Sequence, residues 1–197
     1  MKVIGVTGGI ASGKSVVVRI IQELGYPVFH SDQISHFISD NDQEVISEIK
    51  QLFGDSIYAF GKLDRAEVAK KVFNDGAFLS SLSDIIHPRV RKCFELWARK
   101  QITPLVFNES ALLFETGSYK NFDKTILVVA PEELRVQRAV QRDNVSVEEI
   151  RRRMIRQWSD EQKMPLASFV IENDDKTPVI SQVEMILNHL LTYSTSS

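Results

Sequence analysis

The chain is short of cysteine, of long apolar runs and of excess charge of either sign, and each shortage excludes a class of protein. Its single cysteine, Cys93, can form neither an internal disulfide nor a zinc cluster, so a reducing, cytoplasmic setting is expected. The longest unbroken apolar run, Ile126–Ala130, falls far below the length of a membrane span. With 24 basic and 26 acidic side chains the formal charge is −2, which argues against a bulk electrostatic grip on nucleic acid. Met1-Lys2 leads directly into Val3-Ile4-Gly5, so no secretory leader is expected. Internal repeats and low-complexity linkers are missing too. At 197 residues, 43% apolar and 25% charged, the composition is that of a globular protein of about one domain, with room for a small insertion.

What is present begins with glycine, which is unevenly spent. Four of the nine glycines (Gly5, Gly8, Gly9, Gly13) fall within the first thirteen residues. Before them, Lys2–Thr7 is short and β-branched, which reads as a buried strand. After them, Ser15–Leu24 reads as a helix stopped by Gly25 and Pro27. Val16, Val17 and Val18 are poor helix formers, so packing must hold that helix. Further strands are expected at Pro27–Ser31, Pro104–Asn108, Thr125–Ala130 and Ser168–Ile171. Between strands two and three, from about 32 to 100, the pattern is helical. Val45, Ile46, Ile49, Leu52 and Phe53 keep helical spacing; Asp64 is placed to cap a helix carrying Val68, Ala69, Val72 and Phe73; Pro88 is placed to open another with Val90, Phe94 and Trp97. Cys93 shares that spacing and reads as a core residue. Pro131 opens a helix to about Arg142. Ser146–Glu149 reads as a capping box before a helix to about Trp158, and Thr177-Pro178 opens the last helix, leaving Ser194–Ser197 frayed. Strands alternating with helices imply an α/β layered fold on a parallel sheet, with the helical insertion capping the carboxyl edge where ligands of such folds bind.

Gly8-Gly9-Ile10-Ala11-Ser12-Gly13-Lys14-Ser15 fits G-x-x-x-x-G-K-[ST] between a strand and a helix. Such a loop turns its backbone N–H groups inward around an anion, and glycine permits the positive φ angles and close approach this needs. The helix N-terminus adds the positive end of its dipole. Gly9, Ala11, Ser12, Gly13, Lys14, Ser15 and Val16 are therefore candidate nucleotide-binding residues. Lys14 can reach the β- and γ-phosphates, and the Ser15 hydroxyl can ligate Mg²⁺. ATP and Mg²⁺ are the cofactors expected.

The type of reaction follows partly by elimination. No glycine has an aspartate three residues upstream, and no Asn-Lys-x-Asp guanine reader is present, so a GTPase is excluded. Strand four ends in Ala130-Pro131 rather than an acid, which counts against a transporter or recombinase ATPase. A small kinase remains. Asp32, after strand two, is a candidate to receive or position the proton of an attacking hydroxyl; the competing reading is a helix N-cap. Glu109, ending strand three, is either an acid orienting water on Mg²⁺ or a helix-start carboxylate. The segment from Arg135 to Arg156 carries seven arginines, as a lid closing over a γ-phosphate would need. Most are balanced by Glu132, Glu133, Asp143, Glu148 and Glu149, and Arg142 is the foremost candidate for phosphate contact. Alone, His87 reads as a cap or structural group and Arg65 as an exposed helix residue. Another small-molecule kinase, such as a nucleoside-monophosphate kinase, and a nucleotide-binding regulator without transfer activity are the rival readings.

Taken together these residues resemble the dephospho-CoA kinase family along nearly the whole chain. The resemblance runs through Ile4–Ser15, His30-Ser31-Asp32 (usually Asp-Ala-Asp), Leu63-Asp64-Arg65 with Val72-Phe73, and Ile85-Ile86-His87-Pro88. It continues in Ala111-Leu112-Leu113-Phe114-Glu115 (usually with proline first), Arg138…Arg142-Asp143 with Gln157, and Ala167–Asn173, where Ser168-Phe169 replace the usual Asp-Tyr. It implies a three-layer P-loop kinase fold with a five-stranded parallel sheet. The core would comprise residues 1–31, 103–137 and 164–197, a helical CoA-side domain 32–102, and a helical lid 138–163. It also implies transfer of the ATP γ-phosphate to the ribose 3′-hydroxyl of dephospho-CoA. Asp32 would be the base, Arg65 and His87 would face the acceptor, Arg142 the phosphates, and Asn173 the adenine side. The substrates are small molecules; the oligomeric state is left open.

Overall fold

Strand β1 (Lys2–Gly8) owes its place to its β-branched, apolar sequence, and every residue from Ile4 to Gly8 is buried. Helix α1 (Lys14–Glu23) follows, with Val17, Val18 and Ile21 turned inward and Val16 half exposed. The packing expected to hold this valine-rich helix is therefore in place. In the computed structural model, residues 1–74 and 76–192 are described, with the backbone alone at 73, 74, 76 and 77. The expectations for the Phe73 side chain and for Ser194–Ser197 fall outside the described residues.

The chain continues through β2 (Val28–His30), α2 (Ser31–Asn41), α3 (Gln43–Phe53), β3 (Tyr58–Ala59), β4 (Lys62–Leu63), α4 (Arg65–Asn74) and α5 (Gly76–Ala98). It then runs through β5 (Leu105–Glu109), β6 (Lys124–Val129), α6 (Glu132–Asp143), α7 (Val147–Met154), α8 (Asp160–Lys163), β7 (Phe169–Glu172) and α9 (Val179–Thr192). One five-stranded parallel sheet has the order β2-β5-β1-β6-β7, so β1 sits at its centre between β5 and β6. The expected α/β fold with five parallel strands and flanking helices is the observed one. Its strands carry a period of two: Ile4 and Val6, Leu105 and Phe107, and Ile126 and Val128 join one core with Val17, Val18 and Ile21 of α1 and Val183, Ile186, Leu187 and Leu190 of α9. Each such side chain, once sealed, contributes roughly 1.5–3 kcal/mol.

Two compact units emerge: Met1–Phe29 with Gln101 onward, and His30–Lys100. The second has its own core, centred on Val45, Ile49, Phe53, Ile57, Leu63, Val68 and Ile86, against which the partly buried Cys93 packs. Its helices are capped as their sequences direct. Asp42 accepts from the backbone N–H of Glu44 and Val45 at the start of α3, and Asp64 from those of Ala66 and Glu67 at the start of α4.

Three local expectations are corrected. Pro88 does not open a helix but lies inside α5. Its missing N–H and its ring free the carbonyls of the preceding turn, and the Arg89 guanidinium takes one of them, donating to the Ile85 carbonyl at 2.9 Å. Arg89 also clamps α5 to α3 through Glu48, so packing offsets the proline. The insertion is not wholly helical either: β3 and β4 form an antiparallel hairpin turning at Phe60-Gly61, both at positive φ (51° and 78°). Finally, α7 ends at Met154, short of Trp158, and Ser146 caps it without a reciprocal box, because Glu149 pairs with Arg153 one turn on. The full capping box lies between Ser159 and Gln162, at α8.

Candidate active site

The phosphate loop connects the buried end of β1 to α1. Gly13 stands at the helix N-cap with φ +92°, and the Val16 and Val17 N–H groups bond its carbonyl. A Cβ at Gly13 would lie 1.8 Å from Asn173 Nδ2, so both the angle and the space demand glycine. The Asn173 amide is held there because Nδ2 donates to the Ser12 carbonyl at 2.9 Å, while its backbone N–H bonds Val129 at the end of β6. Ser12 closes a turn onto the Gly9 carbonyl at 3.1 Å. Ala11 has φ +56°, a left-handed conformation that a non-glycine residue holds only when its surroundings enforce it.

Lys14, the first residue of α1, forms an ion pair with Glu109 at the end of β5. The pairing of β1 with β5 sets Glu109 opposite Val6 and so fixes which acid meets the lysine. Ser15 and Val16 follow on the first turn and are exposed. All the loop residues expected to bind nucleotide, with Asn173, thus lie in the first unit, and Asn173 touches the loop directly.

The arginines divide into two sets. Arg142, 62% exposed, is held by its neighbour Asp143 through two hydrogen bonds of 2.7 and 3.1 Å. Those bonds hold the Asp143 carboxyl below its ordinary range. Arg153 approaches Asp143 and Glu149, and Arg151 approaches Glu133, so these are the acid-balanced arginines expected. Arg138 and Arg135 instead face inward. Arg138 donates to the Asn173 carbonyl at 3.1 Å and to Asp175 at 2.5 Å. Arg135 donates to the Ile10 carbonyl at 3.0 Å and to Asp160 at 3.1 Å.

Asp32, Arg65 and His87 belong to the second unit. Asp32 is not a helix cap: α2 begins one residue earlier, with His30 at the N-cap, so Asp32 lies in the first turn where the helix dipole favours its charge. Arg65 reaches back to α2, pairing with Asp40 at 3.1 Å and donating to the His36 carbonyl. Burial raises the Asp40 pKa, but bonds from the Leu63 N–H and Arg65 bring it below the ordinary value. Tyr58, which donates to the Ser39 carbonyl, is pushed up to about 12 by burial and the Asp40 charge. His87 borders a groove of about 590 Å³ along α5, with Arg91 and Lys92 beside it. Burial and the Arg91 charge depress its pKa, partly opposed by Asp84.

The family model for dephospho-CoA kinase matches residues 2–178. The chain belongs to the dephospho-CoA kinase family. A dephospho-CoA kinase of Bacteroides fragilis is 42% identical, the match covering 91% of this chain and 88% of that one. A crystal structure from Thermus thermophilus superposes with a TM-score of 0.84 at 36% identity, covering 99% and 98% of the two chains. A dephospho-CoA kinase from Campylobacter jejuni gives 0.68 at 27%, covering 98% of each. This dephospho-CoA kinase family member fills its atypical positions with specific contacts. Ser168, in place of the usual aspartate, exchanges hydrogen bonds of 3.1 Å with Thr125, stitching β7 to β6. Ala111 offers its carbonyl to the Thr7 hydroxyl. Glu115, ending the Leu-Leu-Phe-Glu motif, accepts from the Trp158 N–H and lies 2.8 Å from the ammonium of Lys163, which is fully buried. Lys163, Asp160 and the loop role of Arg135 went unforeseen from the sequence; Lys163 and Asp160 stand amid charged residues that read as solvated helix. No helix among the described residues is long and apolar enough to cross a membrane.

Proposed function

We propose that the chain transfers the γ-phosphate of ATP to the ribose 3′-hydroxyl of dephospho-CoA, giving coenzyme A and ADP, the last step of CoA biosynthesis. The observation that carries this reading is the phosphate loop closed by Asn173, with Lys14 and Glu109 paired beside it, in a member of this kinase family. Backbone N–H groups of Gly9, Ala11, Gly13, Lys14 and Ser15 surround the β- and γ-phosphates, while those of Ile10, Ser12 and Val16 hold the loop itself. The Lys14 ammonium leaves Glu109 for the phosphates and neutralises charge that grows on the transferring group. Asp32 receives or positions the proton of the 3′-hydroxyl. Arg65 and His87 face the acceptor. Arg142 exchanges Asp143 for a phosphate when the 138–163 lid closes, and Asn173 borders the adenine while bracing Ser12.

The donor set suits Mg²⁺, which keeps several waters and takes few protein oxygens. The Ser15 hydroxyl would hold it, with Glu109 orienting a bound water. No cluster of three His, Cys, Asp or Glu side chains occurs among the described residues, and phosphates and water would supply the remaining ligands. Bound there, the ion would supply positive charge that offsets the charge of the phosphates. The core 1–31, 103–137 and 164–197, the acceptor-side 32–102 and the cytoplasmic setting belong to the same reading.

ATP consumption with a panel of hydroxyl acceptors tests it. Turnover with dephospho-CoA and background rates with AMP, UMP and shikimate are expected. Preference for another acceptor would transfer the chain to a different kinase activity, and no turnover with any acceptor would favour a nucleotide-binding regulator.

A further inference from the structure

Ile10, at the crest of the phosphate loop, has both of its backbone polar groups held by side chains from far along the sequence. Its N–H donates to Gln157 Oε1 at 2.8 Å, and its carbonyl accepts from Arg135 Nε at 3.0 Å. The Arg135 guanidinium lies so close to the loop that a Cβ on Gly9 would meet Nη2 at 2.2 Å. Arg135 is 9% exposed and is oriented in turn by Asp160 at 3.1 Å. Beneath these bonds, Ile10 and Ala11 pack on a small core of Val136, Ala139 and Ile150 from α6 and α7. The residue following this doubly held one is Ala11, at φ +56°.

We propose that Arg135 and Gln157 are positioning residues that hold the crest of the phosphate loop in its binding conformation before nucleotide arrives. A left-handed Ala11 is costly unless its neighbours over-determine it. Hydrogen bonds on the two peptide groups that flank Ile10, with the apolar seat under it, do so. The inward N–H groups are then arranged without ATP having to order them. Asp160 acts one step further out by fixing the guanidinium.

The inference rests on the proposed function in taking ATP as the nucleotide, and its binding and exchange measurements need no acceptor. Gln157→Leu, Arg135→Gln and the double variant are compared with the parent. The readouts are calorimetric affinity for a non-hydrolysable ATP analogue, amide hydrogen exchange of the loop, and melting temperature. Gln157→Leu is expected to weaken analogue binding roughly 3- to 10-fold, the weight of one neutral hydrogen bond, and Arg135→Gln by at least as much, since its guanidinium bond is charge-assisted. Exchange at Ile10–Gly13 should quicken. The double variant should lose less than the product of the singles, since both bonds hold one residue, Ile10. With dephospho-CoA as acceptor, KM for ATP should rise while KM for dephospho-CoA stays within about twofold. Arg135 is buried and its variant risks misfolding; Gln157 is only partly buried, so Gln157→Leu carries the test alone if needed. Folded Gln157→Leu with parental analogue affinity and loop exchange would overturn the proposal, as would an equal rise in both KM values. A parent that binds the analogue but never phosphorylates dephospho-CoA would sink the proposed function and leave this inference standing.

Discussion

Replacing Gly13 by alanine separates the phosphate loop's geometry from general stability. At φ +92° an L-residue incurs about 1–2 kcal/mol of strain. The new methyl would also sit 1.8 Å from Asn173 Nδ2 and displace it from the Ser12 carbonyl, a further loss of about 0.5–1.5 kcal/mol. Without nucleotide the loop can relax away from both penalties, but binding requires them back. Affinity for an ATP analogue should therefore fall roughly 10- to 300-fold, at 1.4 kcal/mol per factor of ten. Gly25, at φ +87° and with nothing within 4 Å of where an added methyl would stand, supplies the control. Gly25→Ala carries the strain alone and should lower the melting temperature by about 2–8 °C with unchanged affinity. Calorimetric titration and thermal unfolding of both variants give the comparison. Parental affinity in folded Gly13→Ala would refute the claim that this cradle holds the phosphates.

Four further outcomes follow from named contacts. Lys14→Ala should cut kcat/KM at least about 10²-fold, since the ammonium serves a transition state governed by electrostatics; near-normal turnover would remove the loop from the mechanism. Asp32→Asn should bind ATP and fold normally yet transfer phosphate at least ~10²-fold more slowly in single-turnover assays; a parental rate would send the search for the base elsewhere, to Glu109 next. Arg65→Ala should raise KM for dephospho-CoA far more than KM for ATP, and equal effects would make its bonds to Asp40 and His36 merely structural. The depressed His87 pKa means the unfolded chain takes up the proton first, so stability should be full above the ordinary value of 6.5 and fall as pH drops through it. His87→Gln should flatten that slope in unfolding titrations, and an unchanged slope would assign it to other groups.

The parts legible in the sequence were those set by local chemistry. The loop needs its glycines, lysine and serine at fixed spacing, and Asp64 sits at a cap because a short carboxylate there meets two N–H groups. The strands of the sheet were legible because short β-branched runs suit positions buried on both faces. Pro88 misled because proline at a helix start is the commoner local solution. Only the distant clamp of Arg89 on Glu48 and the packing of α5 let the helix continue. The β3–β4 hairpin has two residues per strand, too few to show alternation. The supports of the loop were hidden for a similar reason. Arg135 reads as one of a run of solvated arginines and Asp160 stands amid other charges, and only the fold supplies the partners that hold them.

The position of the transferred phosphate tests the central claim most directly. Parent protein, γ-labelled ATP and dephospho-CoA are combined in a single turnover, and the product is separated and mapped by phosphorus NMR. The predicted result is one labelled product with its new phosphate on the ribose 3′-hydroxyl, indistinguishable from coenzyme A, and one ADP per label transferred. Label on another hydroxyl, or ATP hydrolysed with dephospho-CoA recovered unchanged, would contradict it.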